Sequence, residues 1–269
     1  MISIIISSYN KKNFSRLKNN IDETIGIPYE LIQIWNPGKM GICEAYNSGA
    51  KVSKYEYLLF IHEDIKFLEK NWGRSLIESF MSLDNIGILG LAGSKVKFKL
   101  PYGYHSDLRG ADFMFVKHSV NDIVQNLRSP IKVKVLDGVF LSMTKTIWEK
   151  FKFNEQISGF HFYDIDITLR TSKFCQNYVL PKISILHFSM GKFDNSWIRS
   201  CIKFHKFTNY NYDQPFREFE NIIQNFWYNR LRCENITFIL RLRYSLHLGF
   251  SIKSIKNCIK FILKPLKNS

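Results

Sequence analysis

Three short apolar runs near the N-terminus, each closing on polar turn-forming residues, restrict this chain to a narrow set of folds. Ile2-Ser3-Ile4-Ile5-Ile6 is β-branched and almost unbroken, as expected of a strand buried on both faces. Ser7-Ser8-Tyr9-Asn10 ends it, and a helix is expected over 14–24. A second strand over 30–35 is broken by Asn36-Pro37-Gly38. A helix over 43–52 leads to Tyr57-Leu58-Leu59-Phe60-Ile61, which closes on His62-Glu63-Asp64. Strand, helix, strand, helix, strand predicts an α/β fold with a mostly parallel, right-handed, Rossmann-like sheet flanked by helices. Ligands bind such sheets beyond the carboxyl ends of the strands. The three polar tips are therefore expected along one edge.

Further along, a helix is expected over 72–83 and a strand over 86–91. The Gly- and aromatic-rich stretch 95–129 reads as loops that cover a site. Residues 132–136 predict a strand leading into Asp137-Gly138, continued by 139–143. Short helices follow over 146–151 and 163–173, and 178–187 is expected to return to the sheet. No internal repeat is found.

Charge divides the chain. The formal net charge is +15, and residues 197–269 hold 13 Lys and Arg against 4 Asp and Glu. That segment reads as helical and basic, an adapter at one end, giving two expected domains, 1–195 and 196–269. Near the C-terminus, Lys253, Lys256, Lys260 and Lys264 share one helical stripe, while Ile252, Ile255, Ile259, Ile262 and Leu266 share another. This basic amphipathic helix either packs by its apolar face or adheres to an anionic membrane surface.

A charge of +15 calls for polyanionic company: nucleic acid, anionic lipid or phosphorylated ligands. The 13 Tyr and 23 Phe could stack on bases, but many fall in apolar strands and helices, so no nucleic-acid partner is expected. Cys43, Cys175, Cys201, Cys233 and Cys258 form no CxxC pair, which argues against a zinc ribbon and suits reduced thiols. The opening apolar run is too short for a signal-peptide core and lacks a basic leader. No stretch reaches the length of a membrane span. A cytoplasmic protein is expected, soluble or peripheral at the inner face of the cell membrane.

Two acidic groups carry the chemistry. His62-Glu63-Asp64 closes a buried strand, where a carboxylate can hold Mg²⁺ or Mn²⁺ against a diphosphate. Asp164 and Asp166 stand near a helix start, where an acid either complements the helix dipole or accepts a proton from a reacting hydroxyl. Asp166 is expected to pair with Arg170 one turn on. Read from the residues alone, Asp137-Gly138 is a β-turn and His187 a hydrogen-bonded structural histidine.

Gly41-Ile42-Cys43-Glu44-Ala45-Tyr46-Asn47-Ser48-Gly49, followed by residues 57–64 ending in Asp64, resembles the nucleotide-binding half of family 2 glycosyltransferases of the GT-A fold. The resemblance is nearest the subgroup linked to bacterial capsule and surface polysaccharide synthesis, and covers roughly residues 1–195. It implies an inverting, hexosyltransferase-type enzyme with a nucleotide-diphosphate sugar as donor, a divalent metal (Mn²⁺ or Mg²⁺), and a saccharide or lipid-linked saccharide as acceptor. Asp64 matches the metal ligand, His62 stands where the first acid is usual, and His187 matches a histidine that completes the metal shell in some relatives. Ser7, Tyr9, Asn10, Asn36, Gly41, Asn47 and Glu63 fall at donor-binding positions; Asn36 replaces an aspartate that reads a uracil edge. Residues 162–170 resemble the "ED.D...R" signature, which makes Asp164 the catalytic base and puts Tyr163 in place of the first acid. Asp137 and Gly138 match the acceptor side. The two replaced acids, at His62 and Tyr163, keep open a degenerate protein that binds sugar nucleotides without turnover.

Overall fold

The isoleucine run forms strand β1 (Ile2–Ser8), in which Ile2, Ile4, Ile5 and Ile6 are fully buried in this computed structural model, which describes residues 1–210, 212–214 and 216–263. Helix α1 (Lys11–Thr24) begins three residues earlier than expected. The Asn10 side chain accepts the N–H groups of Lys12 and Asn13, and this N-cap starts the helix at once. Strand β2 (Tyr29–Trp35), helix α2 (Ile42–Val52) and strand β3 (Tyr57–Ile61) complete the opening unit. Strand β1 lies parallel between β2 and β3, with Ile2 opposite both Tyr29 and Tyr57. Helix α2 crosses β1 so closely that a Cβ on Gly49 would lie 2.4 Å from the Ile5 Cγ2. Gly49 is thus an interior contact of the helix rather than its end.

Strand β4 (Ile65–Phe67), helix α3 (Trp72–Ser82), and strands β5 (Ile86–Gly90) and β6 (Ala92–Ser94) follow. Next come β7 (Asp112–Met114), β8 (Val116–Lys117), β9 (Ile131–Val133), β10 (Val135–Leu136) and β11 (Phe140–Thr144). Helices α4 (Lys145–Phe151) and α5 (Tyr163–Thr171) precede strands β12 (Gln176–Val179) and β13 (Ile185–His187). The central sheet has the order β2-β1-β3-β11-β5-β12-β9. It is mostly parallel, as expected; β11 runs against β3 and β5, and β9 runs against β12.

Two stretches depart from expectation. Residues 132–136 are not one strand: β9 edges the central sheet, whereas β10 pairs with β6 in a separate three-stranded sheet. Nor does β11 continue that line. The Asp137 Oδ1 accepts the Val139 N–H at 2.9 Å, an Asx turn at the junction where the chain leaves β10 and enters β11 of the central sheet. Similarly, only β12 of 178–187 rejoins the central sheet. Strand β13 pairs with β4 and β8 in a second small sheet, and its register sets His187 opposite Ile65. Short runs of three residues carry too little periodicity to reveal which sheet they join.

The chain divides into two compact units, 1–95 with 113–190, and 96–112 with 191–269. The second contains helices α6 (Asn195–Phe207), α7 (Arg217–Leu231), α8 (Phe238–Leu248) and α9 (Ile255–Leu263). Its core stacks Trp197 on Trp227 at 5.2 Å and buries Lys97, whose ammonium faces the Phe98 and Leu100 carbonyls, His205 and the Tyr102 ring. Helix α9 buries Cys258 and Phe261, not the isoleucine stripe: Ile252, Ile255 and Ile259 are exposed, as are Lys253 and Lys256. Lys264 and Leu266 of the expected stripes lie outside the described residues. Among the described residues, no helix is long and apolar enough to cross a membrane.

Candidate active site

Glu63 ties the tips of β1 and β3 together. Its buried carboxylate accepts the N–H groups of Tyr9 at 3.3 Å and Asn10 at 3.2 Å. Burial raises its pKa, opposed by those two donors. At this edge Asn10 caps α1 while the Tyr9 ring is exposed. Trp35, at the end of β2, is exposed too, with the Lys11 ammonium 6.0 Å from its ring. An exposed tryptophan at the ligand edge is a feature the strand pattern alone did not single out.

Asn36 and Asn47 were expected to meet a donor, but the fold uses their amides fully. Asn36 Oδ1 accepts from Lys39 and Met40, and its Nδ2 donates to Met40 O and the Ser7 Oγ, closing the loop after β2. Asn47 Oδ1 accepts from the Trp148 indole and the Phe153 N–H, while its Nδ2 donates to Phe153 O and Glu155. An amide offers two donors and two acceptor sites, so neither side chain retains capacity for a ligand. Both are clamps. Gly41 precedes α2, and a Cβ there would lie 3.4 Å from the Gly159 backbone.

One residue beyond Glu63, the β4–β13 pairing brings His187 back to Asp64. Phe188 N–H donates to Asp64 O at 2.9 Å, and His187 Nε2 lies 3.3 Å from the Asp64 Oδ1. The His62 ring is 5.5 Å from that of His187. One ligand atom from each of His62, Asp64 and His187 lies within 4.8 Å of the other two. Burial alone would raise the Asp64 carboxyl, but the His187 hydrogen bond and the two imidazoles bring it down to about 2. Burial and the neighbouring His187 lower the His62 pKa, favouring the neutral imidazole that metals require. Two nitrogens and an ionised carboxylate, clustered this closely, fit a divalent transition ion.

Asp164 opens α5, where Phe162 takes φ +67° to deliver the first turn. That conformation is unfavourable for a side chain this large, a strain held by the surrounding fold. Asp164 Oδ2 accepts the Gly138 N–H and Oδ1 the Ile165 N–H, each at 2.9 Å. Burial, and then the charge of Asp137, push its pKa up to about 7, against those two donors. Asp166 is instead buried against Arg170, at 2.8 and 2.6 Å, and that guanidinium reaches the carbonyls of Phe151 and Lys152. It is structural, as its spacing implied.

Tyr163 joins the two halves. Its hydroxyl donates to Gly138 O at 3.0 Å and lies 3.0 Å from His62 Nε2. A hydroxyl has one proton, and a carbonyl has none. The phenol proton therefore goes to Gly138, and His62 Nε2 carries the proton of the other bond. His62 Nδ1 is left as the free lone pair. Gly138 admits no side chain, because a Cβ would lie 2.2 Å from the Tyr163 oxygen. The sequence reading marked His62 and Tyr163 as two separate departures from a family pattern; in the structure they are bonded partners.

A model of the glycosyltransferase like family matches residues 3–218 of the chain. No curated protein matches it in sequence. Among solved structures, GalNAc-T7 with UDP, GalNAc and Mn²⁺ aligns with a TM-score of 0.52 at 9% identity, covering 70% of this chain and 43% of that one. S. aureus TarS 1–349 in complex with UDP-GlcNAc aligns over 97% of this chain and 81% of that one, at 13% identity and a TM-score of 0.49. At these identities the likeness is one of fold: the α/β architecture is similar to that of GT-A glycosyltransferases. The chain spans less than half of the GalNAc-T7 structure.

Proposed function

Because the chain belongs to the glycosyltransferase like family, we propose that it moves a hexosyl group from a nucleotide-diphosphate sugar to an acceptor hydroxyl, with inversion. One observation carries this reading: the His62–Asp64–His187 donor cluster and Asp164 are joined by Tyr163 and the Gly138 peptide. A metal-binding end and a proton-accepting end thus share one hydrogen-bonded frame.

The reaction breaks the bond between the anomeric carbon and the diphosphate oxygen and forms one to the acceptor oxygen. The acceptor's proton passes to an Asp164 oxygen. A carboxyl with a pKa of about 7 holds that proton far better than an ordinary carboxylate, and it remains largely ionised at slightly alkaline pH. The two backbone N–H groups on Asp164 hold its oxygens in place. His62, Asp64 and His187 would hold the cation, whose charge offsets that of the departing diphosphate; the two imidazoles favour Mn²⁺ over Mg²⁺. Tyr9 and Ser7, at the tip of β1, and Gly41 are assigned to the donor side, and Asp137 with Gly138 to the acceptor side. We assign the acceptor to the saccharides or lipid-linked saccharides of bacterial surface polysaccharide synthesis, with the protein peripheral at the inner membrane face.

The test is a screen of UDP-, GDP-, dTDP- and CMP-sugars for Mn²⁺-dependent thermal stabilisation. A donor at about 100 times its dissociation constant adds roughly 2.7 kcal/mol. Asp164→Asn should keep that stabilisation and lose transfer. No response to any sugar nucleotide, or transfer by the Asn variant at the wild-type rate, would overturn the reading.

A further inference from the structure

The second unit presents an apolar surface that its own fold leaves bare. Helix α8 buries Leu240, Tyr244 and Leu248, while Phe238, Ile239, Leu242 and Leu246 are exposed. Residues 239, 242 and 246 fall on one helical stripe. Helix α9 rests against α8 through Phe261, whose ring lies 6.0 Å from Tyr244 and whose carbonyl accepts from Arg241. Outward it shows Ile255, Ile259 and Leu263, preceded by Ile252 at 95% exposure. Two adjoining helices therefore each spend one face on the core and offer a second aliphatic face to solvent. Exposing scattered apolar residues is ordinary, but a contiguous helical stripe left exposed marks an interaction site.

Charge narrows the partner. From Asn235 to Leu263 there is no Asp or Glu, while Arg243, Lys253, Lys256 and Lys260 accompany the stripes. A second copy of the chain is a poor occupant, because a two-fold interface sets like residues near each other and would confront lysines with lysines. A protein partner is also disfavoured: interface cores are depleted in Lys and enriched in aromatic residues, whereas these stripes are mainly Ile and Leu flanked by Lys. Aliphatic rows bordered by long cationic side chains match a bilayer interface, where the rows enter the acyl boundary and the ammonium groups reach lipid phosphates. Among the described residues neither helix is long enough to span, so the proposed surface lies on the membrane rather than through it.

We propose that α8 and the 252–263 segment form one surface that inserts into anionic lipid bilayers. This deepens the peripheral attachment assigned above, naming its residues, and it rests on the second unit alone. The test is cosedimentation of the full chain with phosphatidylglycerol-containing vesicles and with neutral phosphatidylcholine vesicles. Binding to the anionic vesicles only, weakening with salt, is expected. Each cation near the surface is worth about a fivefold change in partitioning, so Lys253→Gln, Lys256→Gln and Lys260→Gln together should weaken binding roughly 100-fold. Ile239→Ser with Ile252→Ser and Ile259→Ser should abolish it. Both triple variants should keep the wild-type melting temperature and Mn²⁺ response, which shows that they fold. Equal affinity for neutral vesicles, no binding by the wild type, or wild-type binding by folded variants would overturn the proposal. So would a dimer in light scattering that the serine variant dissolves. Vesicle binding without any sugar-nucleotide response would leave this surface standing and sink the transferase reading instead.

Discussion

Tyr163→Phe removes a single oxygen and tests whether the His62 imidazole is oriented from outside the cation site. The hydroxyl takes part in two hydrogen bonds of 3.0 Å, to Gly138 O and to His62 Nε2. Its loss leaves a carbonyl and an imidazole N–H unpaired in a half-buried setting, which costs about 1–3 kcal/mol of stability. The larger consequence concerns the cation. Without the phenol, His62 can place its proton on either nitrogen, and the Nδ1 lone pair is no longer guaranteed. Removing an outer partner of a metal-bound histidine typically lowers metal affinity about 10–100-fold, or about 1.4–2.8 kcal/mol. The assay is Mn²⁺ titration followed by electron paramagnetic resonance, on the wild type, Tyr163→Phe, His62→Ala and the double variant. Tyr163→Phe should weaken Mn²⁺ binding in the wild-type background and do nothing further once His62 is gone. Nitrogen NMR of the wild type should show the proton on Nε2. An unchanged Mn²⁺ affinity in the phenylalanine variant, or an equal loss in both backgrounds, would refute the reasoning.

Asp164 should impose a pH signature on stability as well as on rate. Its folded pKa of about 7 lies above the ordinary value of 3.8, so between the two the unfolded chain has released a proton that the folded chain retains. Wild-type stability therefore falls as pH rises through that window and levels off above it; relative to wild type, Asp164→Asn should gain roughly 3–4 kcal/mol in urea melts from about pH 4 to about pH 8. The rate of transfer should rise with pH through about 7 if Asp164 is the base. Asn47→Ala should lower the melting temperature by unpairing the buried Trp148 indole and the Phe153 N–H, yet leave the donor-induced shift intact; loss of that shift in a folded variant would restore a binding role. Gly49→Ala should destabilise by about 1–3 kcal/mol through its clash with Ile5, and an unchanged urea midpoint would argue against the close α2–β1 crossing.

What the sequence disclosed follows the length scale of the interactions. The opening βαβαβ unit was legible because each strand is a run of five or more residues whose partners are its neighbours, so burial writes itself into the pattern. Asp64 was legible for the same reason, being fixed by the end of β3. Its partner His187 was suggested only by resemblance, because the pairing of β13 with β4 joins three-residue strands more than a hundred positions apart. The polar clamps share one physical basis. Asn36, Asn47 and Glu63 sit where a ligand could be met, but a buried amide or carboxylate must find partners, and backbone groups of adjoining loops supply them before any ligand arrives. The least visible feature was the bond between His62 and Tyr163. In a one-dimensional pattern each looks like a lost acid, and two lost acids suggest a failing enzyme. In three dimensions the imidazole stands beside Asp64 and His187 in one candidate cluster, and the phenol is hydrogen-bonded to it. A carboxylate at 163 would accept the His62 proton equally well but could not also donate to Gly138, so the tyrosine is the residue that satisfies both neighbours at once.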